Sequence, residues 1–309
     1  LRILVVGAGA IGGYFGGRLL EKGKDVTFLV REKKQKKLDK EGLIVKSSYG
    51  DICLPATTIT SYEKSEPFDV VMISTKAYHL ADAMNDIQPF INEETMILPL
   101  LNGVSHIDDL TSVFGEERVI GGLCFIESTL AEDGTVVHTS PMHELVFGER
   151  SGESTQRILA LEKVFSGTVA DIRRSDQIMT DVWQKYLFIA TMSGVTSLFR
   201  STIGPIREQP TGMATIKGLL AEAYEIMTSA GMPVDSRIID VQLNKINSLN
   251  ANMKSSLQRD MEKGQPLEAE HFFGYLLQKA KEKELDTPVL SSVYANLKVF
   301  ENTKQTFTR

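Results

Sequence analysis

The chain has 309 residues, 42% hydrophobic and 24% charged, with a formal net charge of −6 and a pI near 5.5. That length is enough for two domains, and the acidic balance excludes a general nucleic-acid binder. No run approaches the roughly 20 apolar residues that span a bilayer, so neither a membrane nor nucleic acid is an expected partner. The apolar start lacks the basic flank and cleavage site of a signal peptide. The two cysteines, Cys53 and Cys124, form neither a disulfide framework nor a zinc pattern. Both read as small apolar fillers of strands, and no metal site is expected. This usage fits a reducing cytoplasm.

An apolar run, Ile3 to Val6, ends in Gly7, Gly9 and Gly12, spaced G-x-G-x-x-G. A helical pattern follows, then Gly23, then a second apolar run from Val26 to Val30. Strand, glycine turn, helix and strand together form the βαβ context in which this spacing signals dinucleotide binding. Gly7 permits the tight turn, Gly9 lets the backbone approach a pyrophosphate, and Gly12 lets the helix pack closely on the strand. The turn residues Gly7, Ala8, Gly9, Ala10, Ile11 and Gly12 are therefore the candidate cofactor contacts, with the helix N-terminus offering free N–H groups to phosphate. The second strand ends at Arg31, where an acidic residue would accept hydrogen bonds from the ribose hydroxyls of NAD. A guanidinium there offers forked, charge-assisted donors to a 2′-phosphate, so the expected cofactor is NADPH. Glu32 is adjacent, and Lys33, Lys34, Lys36 and Lys37 read mostly as a solvated helix face.

Alternation continues after a charged helix at Glu32–Glu41. Strands are predicted at Leu43–Lys46, Asp51–Leu54, Phe68–Ser74, Thr95–Leu100, Val119–Phe125, Thr135–His138, Leu145–Phe147 and Val169–Ile172, and helices at Ala77–Phe90 and Ser154–Phe165. Such a pattern implies a doubly wound parallel sheet with ligands at the carboxyl ends of its strands. From Asp176 onward only helical patterns appear, at about 176–199, 211–230, 235–246, 249–263, 268–283 and 288–301. Gly204-Pro205, Gly231-Met232-Pro233 and Gly264-Gln265-Pro266 read as linkers, and Glu301–Arg309 as a polar, frayed end. The expected fold class is α/β: an N-terminal Rossmann domain, residues 1–174, followed by an all-helical domain, residues 175–309. The methionine-bearing helices are a candidate homodimer face, although Met at helical spacing is more often core.

A dinucleotide domain joined to a helical domain suggests a dehydrogenase with substrate in the cleft between them, and hydride transfer to a ketone needs a proton. None of the histidines, His79, His106, His138, His143 and His271, stands in a context that marks an acid. Lys185 does better. It lies in DVWQKYLFIATMSGVTSL among Trp183, Tyr186, Leu187, Phe188 and Ile189, and burial lowers a lysine pKa toward neutrality. A lysine snorkelling from an amphipathic helix is the alternative.

Over essentially its whole length the chain resembles the ketopantoate reductases (2-dehydropantoate 2-reductases). GAGAIGGYFGG is similar to the family's nucleotide turn, and Arg31 matches its 2′-phosphate arginine. Lys76, in ISTKAY, matches its strand-end lysine near the nicotinamide, and Asn102, in LLNG, the asparagine that positions cofactor and catalytic lysine. HTSPMHELVFGE resembles its H-T-G hairpin with Ser140 in place of the glycine. Lys185, in W-x-K, matches the catalytic lysine. SSLQRD followed by G-x-x-x-E maps Ser256 onto a serine contacting the substrate carboxylate, Glu268 onto the active-site glutamate, and Asp260 onto the acidic residue between them.

The resemblance implies a helical domain of the 6-phosphogluconate-dehydrogenase-like kind. It also implies NADPH-dependent reduction of a 2-oxo acid, ketopantoate first, in pantothenate biosynthesis. Lys185, Glu268 and Asn102 would be catalytic; Arg31, Lys76 and Asn102 would join the glycine turn in holding the cofactor; Ser256, Glu268 and Lys185 would bind substrate. Three positions depart from the family pattern. Ile189 and Ser193, one and two turns after Lys185, and Ile203 before Gly204 stand where the family has asparagines that contact the substrate's polar end. The pocket is thus expected to be more apolar, which keeps open the same chemistry on a more apolar 2-oxo acid. A non-catalytic NADPH-binding sensor is the alternative from another class. Phosphorylated or amino-acid-derived substrates would require a basic cluster, for which Arg200 and Arg207 are the candidates.

Overall fold

The computed structural model describes residues 1–307. Its contacts divide it into two units, Leu1–Leu101 with His106–Met179, and Asn102–Ser105 with the chain from Thr180 onward. The division falls after residue 174 because Ser175 donates its N–H to Phe147 O at 2.8 Å, and Ile178 packs on Gly121 and Gly148.

The strands of the first unit are β1 (Ile3–Val6), β2 (Val26–Leu29), β3 (Leu43–Ser47), β4 (Ile52–Leu54), β5 (Thr57–Ile59), β6 (Val70–Ile73), β7 (Met96–Pro99), β8 (Gly121–Leu130), β9 (Val136–Gly148) and β10 (Asp171–Arg174). Its helices are α1 (Ala10–Glu21), α2 (Glu32–Glu41), α3 (Leu80–Ile87), α4 (Ser105–Phe114, whose first residue belongs to the other unit) and α5 (Gln156–Phe165). Strands β5-β2-β1-β6-β7 form one parallel sheet in that order, the doubly wound arrangement in which ligands bind where the order reverses beside β1. Side chains alternate between its faces. Ile3 and Val5 enter one core with α1, and Leu4 and Val6 enter the other with Leu80, Ala83 and Leu110 of α3 and α4.

Six of the strands predicted for one doubly wound sheet, at 43–46, 51–54, 119–125, 135–138, 145–147 and 169–172, lie outside it. β3 and β4 join a second sheet, ordered β10-β9-β3-β4, with β8 antiparallel to β9. The place beside β2 is taken by β5, too short to be seen in the sequence. The strands predicted at 135–138 and 145–147 are one continuous strand, β9, which runs through Pro141. Helix α1 fits between the two sheets because of its glycines. A Cβ on Gly12 would stand 2.4 Å from Gly7 O, and one on Gly16 2.8 Å from Phe28, both toward the first sheet. On the other side a Cβ on Gly13 would meet Val136 at 2.8 Å and one on Gly17 would meet Leu43 at 3.0 Å. Cys124 is a buried strand residue as expected, but Cys53 is exposed, since β4 is short and ends its sheet.

Helices α6 (Ile178–Phe199), α7 (Ile203–Glu208), α8 (Pro210–Ser229), α9 (Ile238–Ser248), α10 (Ser256–Lys263), α11 (Tyr275–Glu282) and α12 (Pro288–Phe307) make up the rest, α6 beginning two residues before the second unit. The helix predicted at 249–263 starts late. Ile203 N–H and Gly204 N–H donate to Met253 O and Ala251 O, which holds that stretch as a loop, and Ser255 then caps α10 by accepting from Gln258 N. Gly204-Pro205, predicted as a linker, lies inside α7. The frayed end predicted from Glu301 is helical to Phe307, and residues 308 and 309 lie outside the described residues. Within the described residues no helix is long and apolar enough to cross a membrane.

A buried polar cluster joins α1 to the second sheet. The Tyr14 hydroxyl and His143 Nδ1 are 2.6 Å apart, Ser47 Oγ and His138 Nδ1 are 2.9 Å apart, and the Tyr49 ring stacks on His143 with centroids 3.9 Å apart. Burial, then the neighbouring His138 and Arg18, hold the His143 imidazole below its ordinary value of 6.5, against a weaker pull from Asp171. The unfolded chain therefore takes up this proton first as pH falls. The stability that neutral His143 contributes is full above about pH 6.5 and declines as pH drops below it. Urea-unfolding free energy is expected to fall between about pH 7 and pH 5, and to fall less steeply in His143→Gln. Equal slopes in the two proteins would place the titrating group elsewhere.

Candidate functional site

The first unit opens a cleft of about 1080 Å³ at the carboxyl ends of β1, β2, β5 and β6. Gly7, Ala8 and Gly9 line it after β1, Arg31 and Glu32 after β2, Thr60 to Tyr62 after β5, and Thr75 and His79 after β6. Gly7 has φ +86°, the left-handed region that favours glycine, and a Cβ on Gly9 would project into open space. The missing side chain thus leaves the backbone accessible at this turn, while Gly12 is buried against β1. Ala10 and Ile11 open α1, whose first turn has no side-chain cap, so its leading N–H groups remain for a ligand.

Arg31 is exposed at the cleft, and among the described residues no protein group pairs with its guanidinium. The lysines behind it divide. Lys34 points its ammonium at Gly134 O, 3.4 Å away, and Lys37 pairs with Glu41. Thr75 Oγ1 is buried with no hydrogen-bond partner among the described residues, although a buried hydroxyl ordinarily finds one. Its neighbour Lys76 is half-buried at the head of the short 3-10 turn Ala77–His79. An open glycine turn, an unpaired guanidinium and an orphaned hydroxyl along one cleft fit a phosphorylated dinucleotide. The sequence reading missed Thr75 and the wall formed by Thr60, Ser61 and Tyr62. That wall is fixed by Glu63, whose carboxylate accepts from Thr60 N, Thr60 Oγ1 and Gln35 Nε2. Of the histidines, His79 lines the cleft, and His106 is buried within α4.

The second unit gathers Asn102 and Lys185. Lys185 is 7% exposed on α6, and its ammonium donates to Asn102 Oδ1 at 2.8 Å, across 83 positions of sequence. Glu268 is 8% exposed just ahead of a π-helical turn, Glu270–Gly274, that leads into α11. Within that turn His271 Nε2 lies 2.5 Å from Asn102 O, and His271 Nδ1 lies 2.7 Å from Ser105 Oγ. No sequence spacing marks His271, which stands 169 positions from Asn102.

Ser256 is the exposed first residue of α10, while the capping role falls to Ser255, buried and bonded to Thr196 Oγ1 at 2.9 Å. Ile189 and Ser193 follow Lys185 at helical i+4 and i+8 spacing, on the same side of α6. Ile189 is half-buried, Ser193 buried, and Ile203 fully buried. Arg207 gives its guanidinium to the carbonyls of Ile246, Asn247 and Leu249 at the end of α9, and Arg200 is an exposed, left-handed residue after α6. The basic cluster that a phosphorylated substrate would call for does not form from these two.

Comparison with known proteins identifies the family. The family model described as "Ketopantoate reductase PanE/ApbA" matches residues 3–152, and "Ketopantoate reductase PanE/ApbA C terminal" matches residues 177–301. The chain is 46% identical over 304 residues to an uncharacterized oxidoreductase, YkpB, of Bacillus subtilis (strain 168), covering 98% of this chain and 100% of the relative. It is 24% identical to a 2-dehydropantoate 2-reductase of Nostoc sp., over 98% of this chain and 96% of that one. The crystal structure of 2-dehydropantoate 2-reductase from Geobacter metallireducens GS-15 matches with a TM-score of 0.87 at 28% identity, covering 96% of this chain and 99% of that chain. Matched in both halves by the family's two models, and along nearly its full length by these relatives, the chain belongs to the ketopantoate reductase family, NADP-dependent oxidoreductases acting on a CH–OH group.

Proposed function

We propose that this protein is an NADPH-dependent reductase of a 2-oxo acid, with ketopantoate the first substrate to test. The observation that carries the reading is the buried Lys185–Asn102 pair. The dinucleotide, when bound, supplies a hydride to the substrate's ketone carbon. Lys185, as ammonium, donates a hydrogen bond to the ketone oxygen and then its proton to the alkoxide that forms there. Charge appears on that oxygen as the reaction proceeds, so a buried donor aimed at it stabilises the transition state more than the ground state. Asn102 holds the ammonium at a fixed distance with a neutral amide. Glu268 orients Lys185 or a substrate hydroxyl, and Ser256, with the leading N–H groups of α10, receives the carboxylate.

In the first unit, Arg31 pairs with the cofactor's 2′-phosphate, and Gly7 to Gly12 and Lys76 hold the rest. Exposure of the guanidinium at the cleft, with no protein partner among the described residues, supports this assignment. A second reading, the same chemistry on a more apolar 2-oxo acid, is favoured by Ile189, half-buried one turn from Lys185 on the same side of α6. A hydroxylated substrate would leave its polar end facing that isoleucine.

Three measurements test these assignments. Lys185→Ala should lower kcat roughly 10²- to 10⁴-fold, the usual loss for a general acid, whereas a rise in KM alone would make Lys185 a binding residue. Arg31→Ala should weaken NADPH by about 10- to 100-fold, as expected for a charge-assisted hydrogen bond, with NADH affinity little changed in the same titration. Equal losses for both cofactors would remove Arg31 from the 2′-phosphate site. Across a panel of 2-oxo acids, kcat/KM should be highest for ketopantoate, and higher values for branched acids without a hydroxyl would select the second reading.

A further inference from the structure

We infer that His271 is a positioning residue for the reaction, and that the π-helical turn it sits in holds both partners of the Lys185–Asn102 pair in register. The inference rests on Lys185 being the proton donor and assigns a role to a histidine that no sequence spacing marks.

Asn102 is held through its main chain. A carbonyl oxygen can only accept, so His271 Nε2, 2.5 Å from Asn102 O, carries the proton and donates. In the neutral ring Nδ1 is then the acceptor, and it receives the hydroxyl of Ser105 at 2.7 Å. The two bonds grip both ends of the segment Asn102–Ser105. Between them Gly103 has φ +86°, and a Cβ there would fall 2.7 Å from His271 Nε2. The ring lies flush on a backbone that only glycine leaves bare. This grip holds the main chain of Asn102, and so the position from which its side chain reaches Lys185.

Lys185 is held from the other side of the same turn. Tyr186, its neighbour on α6, is buried and donates its hydroxyl to the carbonyl of Phe272, the residue after His271. Phe272 and Phe273 are themselves buried. Consecutive residues of one turn therefore fix the lysine's helix and the asparagine's main chain. A π-helical turn adds a residue to the helical repeat, and in this one a side chain and the next residue's carbonyl serve two different elements. Displacing a catalytic group by about 1 Å can cost on the order of 10² in rate, so the register matters to chemistry more than to affinity.

The test combines steady-state kinetics, dinucleotide titration and thermal unfolding on the full chain. His271→Ala should lower kcat about 10- to 100-fold, with NADPH affinity unchanged within about twofold. His271→Gln, whose amide N–H can replace the Nε2 donor, should recover most of the rate, while the shorter His271→Asn should not. Because His271 acts through Asn102, His271→Ala added to Asn102→Ala should cost no further activity, since contributions through one shared partner are not additive. Full multiplication of the two losses would overturn the inference, as would a kcat for His271→Ala within about twofold of the parent. Should His271→Ala fail to fold, the Gln and Asn variants decide the matter, and equal rates for those two would overturn it. If Lys185→Ala keeps the parent kcat, the underlying reading of Lys185 fails instead.

Discussion

Helix α1 has room for no side chain at four of its positions. Gly12 and Gly16 bring it against the first sheet, Gly13 and Gly17 against the second, and a Cβ at any of the four would come within 3.0 Å of a neighbouring atom. The two pairs lie on different faces of the helix, because i and i+4 share a face and successive residues are turned by about 100°. A helix this thin can occupy the space between two sheets and still present its N-terminus at the carboxyl end of β1. The cleft follows from that placement. Gly7 to Gly9 form its floor, Arg31 closes the strand beside it, and Thr75 ends the strand on the other side.

The second unit meets a different demand. Lys185 is buried, and its ammonium donates to a neutral amide acceptor. Asn102 supplies that amide from a four-residue segment that belongs by its contacts to the helical unit, although the chain reaches it directly from the first sheet. The segment stays there because His271 and Gly103 fit each other, hydrogen bonds at both ring nitrogens leaving the ring one orientation. Ile189 extends the same side of α6 with apolar surface, and this is where the chain differs from the polar pattern its motifs otherwise resemble.

Much of this was legible in the chain itself. The glycine spacing, Arg31 and the apolar strands announced the dinucleotide fold, because turn geometry and strand burial are local properties with local residue requirements. Lys185 stood out because a charge among Trp183, Tyr186 and Leu187 contradicts its surroundings. What escaped was pairing. β3 and β4 had the right pattern for strands but nothing to say which sheet they join, and β5, three residues long, carried no periodicity at all. The Thr60–Tyr62 wall of the cleft was lost with it.

The sequence by itself determined the dinucleotide class of the cofactor and the two-part architecture, and it singled out Lys185 as a charge in an apolar run, since each depends on residues near one another along the chain. Tertiary structure supplied the geometry of the Lys185–Asn102 hydrogen bond that the resemblance pointed to, and it alone decided that Ser255 rather than Ser256 is spent on capping, that Arg207 is consumed by the end of α9, and that His271 grips the segment carrying Asn102. The reason is physical: a hydrogen bond between groups 83 or 169 positions apart leaves no trace in spacing, because its geometry is set by how helices and sheets pack, not by either partner's neighbours.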